Sequence, residues 1–191
     1  MLDSFKKLIS KSKQQRWNRE YRNGKWEFLH SLGELGHNSI LAGYAGFLGV
    51  NSVLDVGCGS GNLPRLLNRI NFYVGIDISP VALAQLSELI GDEFKYQLIE
   101  ANFDNFTPTE FKVDLVIFNE SLYYSKNPYK TLQSYTQTLT PDGRVAISMF
   151  ENSRAPEVWD AVDQLFETID KTSVTIDDKT WVCRLLSPHS R

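Results

Sequence analysis

The chain has 191 residues, 42% of them apolar and 23% charged, with a net charge of −3. This suits one α/β domain with an ample core, residues 1–191, and leaves no length for a second. Two cysteines cannot build a disulfide framework, three scattered histidines offer no metal-ligand spacing, and no apolar run of about 18 residues, signal peptide or lipidation motif occurs, so a cytoplasmic protein without a membrane span is expected.

The charge is uneven. Residues 1–25 carry Lys6, Lys7, Lys11, Lys13, Arg16, Arg19, Arg22 and Lys25 against Asp3 and Glu20, a local +6 that leaves −9 for the remainder. Leu2, Phe5, Leu8 and Ile9 fall on one side of an opening helix that can touch nucleic acid, anionic lipid or an acidic substrate. The remainder has no basic patch interleaved with aromatics, so the favoured reading is a solvated face docked by that apolar stripe, and nucleic acid is not the expected partner. Aromatic and polar residues then crowd Tyr21 to His30; Trp17, Tyr21 and Trp26 either close over a ligand or anchor the opening helix on the core.

Ser52-Val53-Leu54-Asp55-Val56 is an apolar run with one acid, the pattern of a strand buried on both faces. Asp55, near its carboxyl end, faces the crevice where doubly wound sheets bind ligands. Gly57, Gly59 and Gly61 follow at alternate positions, permitting positive φ and close approach of backbone to ligand. The dinucleotide fingerprint is Gly-x-Gly-x-x-Gly, but here the third glycine comes one residue early and Asn62 takes its place. Asn62 to Leu67 reads as a helix start, with Ser60 or Asn62 as cap and Pro64 in the first turn.

Asn71 to Asp77 is a second buried strand ending in an acid, twenty positions after Gly57. A carboxylate there can accept both hydroxyls of a ribose, and Ile78 can cover one face of an adenine. The alternative for Asp77 is an acid at the start of a helix that Ser79-Pro80 opens. A third strand, Tyr96 to Ile99, runs into Glu100-Ala101-Asn102-Phe103, and a fourth, Val113 to Phe118, into Asn119-Glu120-Ser121-Leu122-Tyr123-Tyr124. Leu139 to Met149 reads as a helix end, a Pro-Asp-Gly turn and a strand. An amphipathic helix is expected over residues 155–168, with Val158, Val162, Leu165, Phe166 and Ile169 at helical spacing, and a hairpin around Asp177-Asp178-Lys179 joins β-rich runs 171–176 and 180–186.

Taken in order, these five pieces across residues 38–150 resemble class I S-adenosylmethionine-dependent methyltransferases, whose glycine loop has the form acid-x-Gly-x-Gly-x-Gly. The resemblance implies a mostly parallel, seven-stranded Rossmann-like sheet with an antiparallel last strand, completed by residues 151–191 and preceded by an N-terminal helical lid over residues 1–37. It implies that S-adenosylmethionine is the cofactor and S-adenosylhomocysteine the product. By alignment, Asn102 reads the adenine amino group, the amide of Phe103 meets the ring, and Asn119 lies where the chain passes the sulfonium; the alternative for residues 102 and 103 is an ordinary polar loop. Asn119-Glu120-Ser121 departs from the Asn/Asp-Pro-Pro-Tyr pattern of enzymes that methylate exocyclic amines of bases or a protein amide, which argues against base substrates.

A hydroxyl acceptor needs a base, whereas an amine needs only to be held neutral. Glu120, Tyr123, Tyr124, His30 and His37 are the polar groups placed near the methyl, with Glu120, Tyr123 and His30 as the catalytic candidates and Tyr21, Trp26 and Tyr124 as the lid or substrate walls. Glu120 is either a base, an amine-orienting acid, or a structural acid at a loop. Aromatic residues 123, 124 and 129 favour a small molecule, a saccharide or secondary metabolite, as acceptor. Competing readings are a nucleic-acid or protein methyltransferase, which salt-dependent binding of RNA or DNA would revive, and a non-catalytic S-adenosylmethionine-binding adaptor, which needs no base.

Overall fold

The computed structural model describes residues 2–91, 95–152 and 154–189, with side chains from residue 11 onward. The chain opens with helix α1 (Leu2–Arg22) and two 3-10 turns, followed by α2 (Leu35–Leu48). Strands β1 (Ser52–Val56), β2 (Phe72–Asp77) and β3 (Lys95–Glu100) come next, with α3 (Pro80–Ile90) between the last two. Then follow β4 (Val113–Asn119), α4 (Pro128–Tyr135), β5 (Leu139–Phe150), α5 (Ala155–Asp163), β6 (Phe166–Ile176) and β7 (Lys179–Pro188).

The seven strands form one sheet in the order β3-β2-β1-β4-β5-β7-β6. Neighbours from β3 to β5 are parallel, and β7 runs antiparallel between β5 and β6, as expected of the reversed last strand. The order reverses between β1 and β4, so a crevice opens where their carboxyl ends diverge.

Alternation along the strands builds two cores. Leu54, Val56, Val116, Phe118 and Ile147 face α4 and α5 through Leu132, Tyr135, Val158 and Val162. Val53, Tyr73, Leu115, Ile117 and Ala146 face α2 and α3 through Leu41, Ala45, Leu83 and Leu86. Burying both faces explains why β1 and β4 lack polar alternation, while the edge strands β3 and β6 expose residues along their length.

Four local expectations are corrected. The segment after the glycine loop forms only a 3-10 turn, Leu63–Leu66, because β2 begins too soon after it for an α-helix to return to the sheet; the Asn62 side chain makes no capping bond. The Pro-Asp-Gly turn does not separate helix from strand: it bulges within β5, where Val113 pairs Leu139 while Leu115 pairs Arg144. The helix expected through residue 168 stops at Asp163, and Phe166 pairs Pro188 across the β6–β7 ladder, so the helical spacing of Phe166 and Ile169 was coincidental. Finally, α2 was not foreseen at all. Gly36, Gly43 and Gly46 mask it, and its buried stripe, His37, Asn38, Leu41 and Ala45, has the right period but two polar members. The apolar stripe Leu2, Phe5, Leu8 and Ile9 lies outside the described side chains.

Candidate active site

The floor of the crevice is the glycine loop. Gly57 and Cys58 donate their amides to the Ile76 carbonyl at 2.7 and 3.0 Å, which ties the loop to the end of β2. Gly57, Gly59 and Gly61 all take positive φ. All three are also crowded: a Cβ on Gly59 would stand 2.6 Å from the Tyr21 hydroxyl, one on Gly57 2.5 Å from Cβ of Ser121, and one on Gly61 2.6 Å from Cδ1 of Leu86.

Asp77 sits at the tip of β2. Its Oδ2 accepts the Gly59 amide at 3.0 Å and its Oδ1 the Ser79 amide at 2.7 Å, while Ser79 separately caps α3 by accepting the Ala82 amide. Burial pushes the Asp77 carboxyl up to about 6, against the pull of those amides. Asp55 is buried behind the loop and does not line the cavity. Burial raises it to about 7, opposed by the Tyr73 hydroxyl that donates to its Oδ2 at 2.8 Å; its Oδ1 is buried with no partner.

The roof is α1. Gln14 donates to the Ile78 carbonyl at 2.9 Å and to Glu100 at 2.6 Å, Ser79 donates to Asn18 at 2.6 Å, and Lys13 donates to the Tyr124 carbonyl at 3.3 Å. Trp17 packs at a tilt against Trp26, ring centres 5.2 Å apart, and meets Tyr124 edge-on at 5.1 Å. Trp17, Tyr21 and Trp26 thus line the cavity instead of joining either hydrophobic core, and in the described part the helix docks through polar and aromatic groups.

Between floor and roof lies a cavity of about 300 Å³. One wall brings together Gly57, Gly59, Gly61, Asp77, Ile78, Asn102 and Phe103, with Asn119 at the end of β4. Asn102 uses its Oδ1 to accept the Asp104 amide at 3.1 Å. The opposite end contains Glu120, Tyr123 and Tyr124 together with Glu34, His37, Asn38, Phe150 and Trp181.

Glu120 is held in an unusual backbone conformation, φ 53°. Tyr123 donates to its Oε2 at 3.0 Å and Ser148 to its Oε1 at 3.5 Å. Burial lifts its carboxyl to about 8, with those hydrogen bonds opposing and the neighbouring Glu34 adding to the rise. His37 is buried, bonded through Nε2 to Glu34 at 2.9 Å and through Nδ1 to Ser148 at 3.2 Å, and stacked on Trp181.

His30 is not brought to this cavity. It is exposed, bonded to Asn62 at 2.6 Å, and lines a smaller cavity on the outer side of Tyr21 and Trp26. Glu34 and Asn38 were missed by sequence because the helix that aims them was missed; the only available signal was the period of positions 34, 37, 38, 41 and 45. Among the described residues no group of three or more His, Cys, Asp or Glu can hold a metal ion, and no helix is long and apolar enough to cross a membrane.

The strand order, the reversed β7 and a glycine loop facing an acid at the tip of β2 define the class I S-adenosylmethionine-dependent methyltransferase fold. The chain belongs to that family: a model described as a methyltransferase domain matches residues 50–184. It is 33% identical over 110 residues to a trans-aconitate 2-methyltransferase of Escherichia coli, an alignment covering 56% of this chain and only 42% of that relative. Among solved structures it resembles the N-methyltransferase NodS from Bradyrhizobium japonicum in complex with S-adenosylhomocysteine, with TM-score 0.80, 15% identity, and coverage of 93% of this chain and 98% of that one. It also resembles Burkholderia thailandensis 1,6-didemethyltoxoflavin-N1-methyltransferase, with TM-score 0.71, 16% identity, and coverage of 93% and 87%. The residues present fit the family's cofactor: Gly57, Gly59 and Gly61 leave the floor bare of side chains at positive φ, Asp77 presents its carboxylate beside Gly59, and Asp55 keeps an unpartnered buried oxygen behind.

Proposed function

We propose that this chain transfers the methyl group of S-adenosylmethionine to an oxygen or nitrogen atom of a small molecule, in the saccharide or secondary-metabolite range. The observation that carries this reading is one aromatic-roofed cavity that joins the glycine loop and Asp77 at one end to Glu120 and Tyr123 at the other. The relatives that act on trans-aconitate and 1,6-didemethyltoxoflavin favour an acceptor of that size.

When bound, the cofactor supplies an activated methyl on a sulfonium. Asp77 would receive the ribose hydroxyls, Ile78 would cover one face of the adenine, Asn102 would read its amino group with the Phe103 amide at the ring, and the bare backbone of Gly57, Gly59 and Gly61 would leave room for the amino-acid portion, with Asp55 behind them. Asn119, at the end of β4, would stand near the methyl. Glu120, oriented by Tyr123, holds the acceptor's nucleophilic atom in line with it and takes a proton where the acceptor must lose one. Residues 1–37 act as the lid, with Trp17, Tyr21, Trp26 and Tyr124 excluding water.

The test is calorimetric titration with S-adenosylmethionine, S-adenosylhomocysteine and NAD in parallel. Binding of the two sulfur nucleosides and none of NAD is expected. Failure of both to bind folded protein would defeat the reading.

A further inference from the structure

The far end of the cavity holds two carboxylates, Glu34 and Glu120. Glu120 forms no ion pair with any described residue. Asn38 donates its amide to the Glu34 carbonyl at 2.7 Å, so it turns its oxygen to Asn119, which must answer with Nδ2 at 2.8 Å. Asn119 is thereby locked with its Oδ1 buried and unpartnered. The second carboxylate, Glu34, is bonded to His37 Nε2 at 2.9 Å, so Glu120 is the one of the two with no such partner among the described residues. The lysines that line the cavity do not balance this: Lys13 reaches over to the Tyr124 carbonyl, and Lys179 is exposed at the start of β7.

We propose that the acceptor atom is an amine nitrogen, carried on a small polar molecule and gripped by the Glu120 carboxylate and the Asn119 side-chain oxygen. The proposal rests on the methyl-transfer reading above. Asn119 Oδ1 has no partner, and each Glu120 oxygen, which accepts one side-chain hydrogen bond, keeps a second lone pair; a hydroxyl brings one hydrogen and no charge to this pair, whereas an ammonium brings three hydrogens and the positive charge that Glu120 has no ion-pair partner to supply. A carboxylate acceptor would face Glu34 and Glu120 with like charge.

The proton balance also favours nitrogen. Burial raises Glu120 to about 8 in the free protein; an ammonium beside it favours the carboxylate form, which then takes one proton from the nitrogen, whose own value of about 8 for an α-amino group lies far below that of an alcohol. The neutral nitrogen's lone pair forms the new N–C bond as the C–S bond breaks, its electrons passing to sulfur. The product leaves as a methylated ammonium with S-adenosylhomocysteine, and Glu120 returns its proton to solvent. Tyr123 and Ser148, both hydrogen-bonded to Glu120, hold its two oxygens in place.

Sinefungin tests this without knowledge of the acceptor, because it carries a primary amine where the sulfonium methyl stands. By calorimetry it should bind the full chain about tenfold or more tightly than S-adenosylhomocysteine. Glu120→Gln should erase most of that preference and leave S-adenosylhomocysteine affinity unchanged, which also reports intact folding. Equal affinities for the two ligands, or a preference that persists in Glu120→Gln, overturns the amine proposal and leaves the cofactor reading standing. Binding of neither ligand defeats the cofactor reading itself, and the proposal with it.

Discussion

Asp77 and Gly59 meet at a single contact, and each makes a prediction at the scale of one side chain. The Asp77 carboxylate already orders the glycine loop by accepting the Gly59 amide. Asp77→Ala should therefore weaken S-adenosylmethionine binding by roughly 1.5–3 kcal/mol, the range of charge-assisted hydrogen bonds; unchanged calorimetric affinity would remove Asp77 from the ribose. Gly59→Ala meets two obstacles, the positive φ of 57° and the Tyr21 hydroxyl 2.6 Å from the new methyl. Affinity should fall, and adding Tyr21→Ala should recover only part of it, because the backbone strain remains. Full recovery in the double variant would show that only the clash mattered.

At the scale of elements, the site depends on how α1 is held. Its described contacts with the sheet rim are hydrogen bonds donated by Gln14 and Lys13 and one that Asn18 accepts from Ser79, with the aromatic cluster beneath. Such a helix opens more readily than one packed in a core. Gln14→Ala combined with Asn18→Ala should make Arg19, Arg22 and Lys25 cleavable by trypsin at lower protease concentrations, and saturating S-adenosylhomocysteine should restore protection. Identical cleavage of variant and parent would mean that the aromatic cluster alone holds the lid. Legibility also differed between elements. β1, β2 and β4 announced themselves because burial on both faces demands uninterrupted apolar residues. The helix α2 did not, since its buried face uses His37 and Asn38, whose partners are Glu34 at the helix's own start together with Ser148 and Asn119 from β5 and β4.

Across the whole molecule, three acids at or behind one cavity share a pH signature. Their ordinary values of 3.8, 3.8 and 4.5 rise to about 6 for Asp77, about 7 for Asp55 and about 8 for Glu120. Each binds its proton more tightly folded than unfolded, so the unfolded chain releases it first as pH rises. Stability is then greatest below the ordinary values and declines as pH climbs through the folded ones. The melting temperature of the protein without cofactor should fall from about pH 4 to about pH 8. Glu120→Gln should flatten the upper part of that decline; a melting profile identical to the parent's would show that Glu120 is not held protonated by the fold.

What the sequence determined by itself is the sheet and the cofactor side of the site: the buried strands, the glycine loop, and an acid twenty residues on are local patterns whose physical demands act on neighbours in the chain. The acceptor side was decided only by tertiary structure. Glu120 was a loop acid of ambiguous purpose until β5 brought Ser148 and α2 brought Glu34 and His37 beside it. His30, equally plausible by position, was turned outward to Asn62. The raised carboxyl, the fixed orientation of Asn119 and the aromatic roof all arise from burial among groups distant in sequence, and burial of that kind leaves no periodic trace in the chain.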